Sequence, residues 1–349
     1  MAQQISLGNY PYAATRVKVM KTALIRKEDY SKLMKMQLSE INQYLQQNGY
    51  KKEINELATK YAGVELIELA LNLSSANTYR KVMRLSSGGL REVVRVFLRR
   101  FDAHNVKSIV RGKFSGAAYD EIIASLIPAG DYGPEFLSSL AKKDSIPAMI
   151  SALNPSPALK EAVRDFERTG SIAQVETVID REYYSQMYAV ADALPGEGRH
   201  LKELMKTEID SSNIRTLIRL KRSGIDAKEI KKNLNFNGFV LSKKALESLA
   251  ESKDVNELVQ RLEKTYYGKI ISKGAEKYKK EGTLSVIETE LTKNLLRQGA
   301  LFMHQNPLSI GPIIGFSIAK EAEVRNLKMI AHARHRGLPE SFMDEMLVV

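Results

Sequence analysis

Three stretches of the chain repeat one pattern: FDAHNVKSIVRGKFSG at 101–116, IDSSNIRTLIRLKRSG at 209–224 and AEVRNLKMIAHARHRG at 322–337. With Asn105, Asn213 and Asn326 superposed, each has an acid three residues before it (Asp102, Asp210, Glu323) and a glycine eleven after it (Gly116, Gly224, Gly337). The asparagines lie 108 and 113 residues apart, so the chain reads as three copies of one unit.

Other segments keep the same register. VETVIDREYY (175–184) aligns with IETELTKNLL (287–296) at an offset of 112, and IELALN (67–72) aligns with the first of these at an offset near 108. FLSSLAKKDSI (136–146) resembles ALESLAESKDV (245–255) at an offset of 109. The units are placed near 1–130, 131–238 and 239–349.

Composition sets the class. At 349 residues and 44% apolar, the chain can bury a large core. It has no cysteine, which removes disulfides, thiol nucleophiles and cysteine-ligated metals together. Its opening residues lack a secretory pattern, and no apolar run approaches the ~18 residues of a membrane span, so a soluble or peripheral protein is expected. The net charge of +12 invites a nucleic-acid partner. Its distribution argues against one, because acids interleave with bases throughout, as in KEDYSK and KKEINE, the pattern of solvated helix faces. An acidic protein surface or nearby anionic headgroups suit the same charge.

Apolar residues recur at helical spacing almost everywhere, as in LREVVRVFLRRF, and sustained alternation is missing. The expected fold class is therefore all-α. PAGDYGP (128–134) and NLNFNGFVLS (233–242) read as linkers. LSSGGL (85–90), LPGEG (194–198) and HQNPLSIGP (304–312) each fall just ahead of an asparagine helix, predicting one helix hairpin per unit.

On a wheel of about 100° per residue with the asparagine at zero, the apolar positions one, four and five after it form a single stripe. These are Val106, Ile109 and Val110; Ile214, Leu217 and Ile218; and Leu327, Ile330 and Ala331. The acid at about 60° and the base eight after the asparagine (Lys113, Lys221, Arg334) at about 80° fall inside that stripe and need partners. Along one helix they are about 16 Å apart and cannot reach each other. The acid and asparagine are expected to meet polar groups of another helix or unit and hold the hairpins in register about a pseudo-threefold axis, or else to be ordinary hairpin-packing groups. Bases two and six after the asparagine (Lys107, Arg111; Arg215, Arg219; Lys328, His332) point the other way, near about 200° and 240°. That face either lines a central opening gripping an acidic partner or faces water. The closing glycines are expected helix C-caps.

Catalytic and cofactor signatures are not found. GKFS (112–115) lacks the glycine spacing of a phosphate loop, and GxSxG, HExxH and GxGxxG do not occur. His332 and His335 have a spacing that suits a metal, but no third ligand accompanies them and a basic surface face is the simpler reading. No cofactor or metal is expected.

With the repeats in hand, the chain resembles the C subunits of the archaeal-type (A/V-type) rotary ATP synthases, relatives of the d subunit of the vacuolar ATPase. The likeness spans essentially the whole chain and is sharpest in KEAEVRNLKMIAHARHRGLP, where Lys320, Glu323, Asn326, Leu327, Ile330, Gly337 and Pro339 match the family pattern. YPYAATRVKVMKTALI adds Tyr10, Tyr12, Ala13, Arg16, Met20 and Leu24. The resemblance implies three helical units forming a funnel on the cytoplasmic side of the proteolipid rotor ring. The funnel would receive the central stalk, made of the D and F subunits, and transmit torque without chemistry of its own. Gly311, Pro312 and Gly315 predict a third descending helix more broken than the family's. A soluble basic helical scaffold, whether or not it binds nucleic acid, is the alternative reading from the residues alone.

Overall fold

The computed structural model describes residues 10–194, 196–238, 240–281, 283–305 and 307–349, and no strand occurs among them. The protein is all-α. Pro195 and Asn306 of the expected turns and Phe239 of the second expected linker lie outside the described residues, as does the opening segment 1–9.

After α1 (Tyr10–Lys21), three short helices lead into a long hairpin: α2 (Lys27–Leu33), α3 (Leu38–Leu45) and α4 (Lys51–Leu57), then α5 (Gly63–Leu85) and α6 (Gly88–Ser115). A connecting helix, α7 (Tyr119–Ala124), precedes the same order in α8 (Pro134–Ala141), α9 (Ile146–Ser151), α10 (Pro157–Thr169), α11 (Ala173–Asp192) and α12 (Gly198–Arg222). It comes again after α13 (Ala227–Lys232), in α14 (Lys243–Ala250), α15 (Val255–Glu263), α16 (Gly268–Glu281), α17 (Ser285–Gln305) and α18 (Gly311–His335), and α19 (Glu340–Met346) follows.

Local chemistry explains many of the boundaries. The side chains of Ser145, Ser156, Asp226, Ser242 and Asp254 accept N–H bonds from the first turns of α9, α10, α13, α14 and α15. Gly116, Gly224 and Gly337 follow the three asparagine helices with φ of 72°, 72° and 67°, the left-handed backbone that glycine adopts most easily.

One expectation is corrected. The helix opening on Gly311 is not broken but runs unbroken to His335. Pro312 lies in its first turn, where a missing N–H costs nothing. A Cβ on Gly315 would come 2.6 Å from the Gly299 carbonyl oxygen, and one on Gly299 would come 2.8 Å from Ile318 Cδ1. These glycines let α17 and α18 touch.

The apolar stripes are buried against the short helices that follow them. Val106, Ile109 and Val110 of α6 are buried with Leu137, Leu140 and Leu159 of α8 and α10. Ile214, Leu217 and Ile218 of α12 join Leu246, Leu258 and Ile271 of α14–α16. Leu327, Ile330 and Ala331 of α18 join Leu33, Ile41 and Ile54 of α2–α4, at the other end of the chain. Each buried leucine or isoleucine contributes roughly 1.5–3 kcal/mol, so burial of Leu327 and Ile330 helps seat the last helix on the first short helices.

Candidate functional site

The polar groups of the asparagine helices find most of their partners on the main chain. Asn105 donates to the Ile127 carbonyl at 2.8 Å and accepts from the Ile127 N–H at 2.8 Å. Asn213 does the same with Asn235 at 2.7 and 2.8 Å, and Asn326 with Val348 at 2.9 and 2.9 Å. In all three cases the partner lies 22 residues on, just past the connecting helix.

The acids hold the approach to the next short helix. Asp102 accepts from the N–H groups of Asp131 and Tyr132 at 2.8 and 3.0 Å. Asp210 accepts from Val240 and Leu241 at 2.8 and 3.3 Å and from the Tyr267 hydroxyl at 3.0 Å. Glu323 accepts from the N–H of Ile25 at 3.0 Å, which precedes α2. It also bonds Lys320 Nζ at 3.0 Å and the Tyr50 hydroxyl. Burial pushes the Asp102 carboxyl up to about 6 even though two N–H groups act to lower it.

The bases complete the grip at the far end of the same short helices. Lys113 donates to the carbonyls of Ala141, at 2.8 Å, and Lys143. Lys221 donates to Ala250 at 2.8 Å, and Arg334 to Met36 and Lys35 at 2.8 and 2.7 Å. A buried acid and a half-buried base thus hold each of these short helices at its two ends.

The opposite face of the asparagine helices meets the first long helix of the following hairpin. Lys107 pairs with Asp180 at 2.5 Å, and Arg111 grips Glu176 through two bonds of 2.5 and 3.0 Å. Arg219 grips Glu288 through two bonds of 2.7 Å, while Arg215 donates to the Thr292 hydroxyl at 2.9 Å. Lys328 and His332 both reach Glu68, at 3.2 and 3.0 Å. Burial works against the charge on Glu68, yet Lys328 and His332 hold its carboxyl below the ordinary range. Glu68, Glu176 and Glu288 occupy the matching place in the aligned segments IELALN, VETVID and IETELT.

Between these helices lie two adjacent cavities of about 490 and 590 Å³, both lined by Arg100, Lys107, Glu208, Arg215, Glu321 and Arg325. Arg100, Glu208 and Glu321 each stand five residues before their asparagine. They meet: Arg100 Nη2 lies 2.5 Å from Glu208 and Nε 3.5 Å from Glu321. Burial raises the Glu321 carboxyl, and Arg100 opposes the rise. His104, itself exposed, borders the smaller cavity, where the surrounding protein and the charges of Lys107, Lys328 and Arg111 push it down to about 4.

The arrangement is one of helix faces and a charged opening, and its motifs match those of a known family along nearly the whole chain. The model of the ATP synthase (C/AC39) subunit family matches residues 13–346. The chain belongs to that family. Among curated C/AC39 relatives, the A-type ATP synthase C subunit of Methanococcoides burtonii is 35% identical, covering 100% of this chain and 97% of its own length. The C subunit of the Methanosarcina acetivorans A-type enzyme is 35% identical over 98% of this chain and 93% of its own, and that from Haloferax volcanii 32% over 98% of both. Among its described residues the chain has no helix long and apolar enough to cross a membrane.

Within this C/AC39 chain the residues singled out from the sequence gather at two places. Asp102, Asn105, Asp210, Asn213, Glu323 and Asn326 sit at the junctions with the short helices; Lys107, Arg111, Arg215, Arg219 and Lys328 line one or both cavities, and His332 pairs with Glu68 instead. Arg100, His104, Glu208, Glu321 and Arg325 were not evident from the sequence. The signal for three of them was a charge five residues before every asparagine, with the sign of the first opposite to the other two.

Proposed function

We propose that the chain is the non-catalytic coupling subunit of the central rotor of an A-type ATP synthase. It joins the central stalk, made of the D and F subunits, to the proteolipid ring, so that torque passes between ATP chemistry and ion movement. Three similar units, near 1–130, 131–238 and 239–349, stand about a pseudo-threefold axis as a funnel at the cytoplasmic face of the membrane, peripheral to it.

A single relationship carries this reading. The grip of one asparagine helix on the next set of short helices runs from first to second, second to third and third back to first, through Ile25 and Glu323. A closed cycle of this kind makes a stiff collar around its opening, the property a torque coupler needs. Meeting of Arg100, Glu208 and Glu321, equivalent positions of the three copies, supports an axis at the opening. Family membership supports the assembly, since the relatives are named as C subunits of A-type ATP synthases. Bases that engage carboxylates of the same chain weigh against a nucleic-acid scaffold.

The test is a pull-down of the full chain at near-physiological salt against detergent-solubilised proteolipid ring and the D–F pair of the same organism. Capture of both is expected; capture of neither would leave a helical scaffold with another partner.

A further inference from the structure

The cations around the opening are not matched equally. Where Lys107 faces Asp180, the equivalent Arg215 faces Thr292, so a carboxylate is replaced by a hydroxyl. Beside it Arg325, whose counterparts one residue before the asparagine are His104 and Ser212, donates to the Thr289 hydroxyl at 3.2 Å. Among the described residues, each of these guanidiniums has a threonine as its hydrogen-bond partner, and both line the same two cavities. The carboxylates that act on Arg215 are already taken: Glu288 is gripped by Arg219 and Glu208 is paired with Arg100. Burial lowers both guanidiniums, and the charge of Arg215 lowers Arg325 further.

An arginine has five N–H donors in a rigid plane suited to a planar or tetrahedral oxyanion, and here the threonines of α17 fix two such planes beside an opening. We propose that Arg215 and Arg325 form an oxyanion site that receives a carboxylate of the stalk segment entering the opening, a proposal that rests on the stalk-socket reading. The excess positive charge lies at the junction of α12, α17 and α18, so the stalk would be held in one rotational setting of an otherwise repeated collar. Two unneutralised cations in a partly buried place cost stability in the free chain, which the incoming anion offsets.

The experiment uses the full chain, its Arg325→Gln and Arg215→Gln variants, and Lys107→Gln as the comparison, because Lys107 already has Asp180. Inorganic phosphate is the probe. At about 10 mM and matched ionic strength it is expected to raise the melting temperature of the parent chain by a few degrees and that of either arginine variant hardly at all. In phosphate-free buffer Arg325→Gln is expected to melt no lower than the parent, which separates the site from a folding role. The D–F pair is then expected to bind Arg325→Gln about tenfold more weakly, with a shallower salt dependence, and Lys107→Gln less than about threefold more weakly. A parent chain whose melting ignores phosphate overturns the oxyanion site whatever the stalk does. Phosphate stabilisation with equal D–F affinity for parent and Arg325→Gln overturns the carboxylate occupant and assigns the site to a free anion. A parent chain that does not bind D–F at all overturns the socket reading, and the carboxylate occupant with it, while the phosphate response stands on its own.

Discussion

Glu323 accepts a hydrogen bond from the main-chain N–H of Ile25 at 3.0 Å, across 298 residues of sequence. By this bond the last asparagine helix does for the first short helix what Asp102 and Asp210 do for the helices after them. Glu323 also neutralises Lys320, which is buried beneath the Tyr50 ring, with Nζ 4.5 Å from the ring centre and 2.8 Å from its hydroxyl. Glu323→Ala strands that lysine and releases Ile25. The expected loss is about 3–5 kcal/mol by urea denaturation, and adding Lys320→Met should recover part of it. An unchanged midpoint would show that the terminal junction is not held here.

The asparagine clamps are testable one at a time. Asn213→Ala leaves the N–H and carbonyl of Asn235 without their partner, so a loss of about 2–4 kcal/mol is expected. Hydrogen exchange at the Asn235 amide should speed up while that of Ile127 and Val348 does not. Equal acceleration at all three would mean that the junctions open together.

Glycines beside the acids are expected to behave as part of the same grip. A Cβ on Gly238 would overlap Asp210 Oδ1, and one on Gly130 would overlap Asp102 Oδ1. Gly238→Ala must therefore push the Asp210 carboxylate off the Val240 N–H. Its cost and that of Asp210→Ala should be strongly non-additive, with a coupling of about 1–3 kcal/mol in a double-mutant cycle. Simple additivity would sever the glycine from the acid.

Two neighbours on α6 should respond to pH with opposite sign. Asp102 titrates at about 6 in the fold against 3.8 ordinarily, so its contribution is fully present below about pH 4 and is lost as pH rises through 6. His104 titrates at about 4 against 6.5, so its contribution is present above about 6.5 and is lost as pH falls towards 4. Between pH 7.5 and 4.5, the stability of the parent relative to Asp102→Asn should rise, by at most about 3 kcal/mol, while that relative to His104→Asn should fall. Urea midpoints at the two pH values decide it, and slopes of the same sign would refute the assignment.

The sequence made some of this plain and hid the rest for physical reasons. Helix periodicity, the turns and the capping glycines Gly116, Gly224 and Gly337 are local, and they were legible. The stripe geometry showed that Asp102 and Lys113 needed partners but not which, because the partners are main-chain groups with no residue signature. Glu68, Glu176 and Glu288 were visible as markers of register, yet their pairing with Lys328, Arg111 and Arg219 crosses from one copy to the next. Pro312 and Gly315 misled because composition alone does not distinguish a helix breaker from a first-turn proline and a helix-contact glycine.

Coupling itself is measured most directly by reassembling the synthase in vesicles with and without this chain, and following ATP hydrolysis and ion uptake together. Omitting the chain is expected to leave hydrolysis by the catalytic head but to abolish ATP-driven uptake, and adding it back to restore uptake. Uptake that persists at the full rate without the chain would contradict a coupling role.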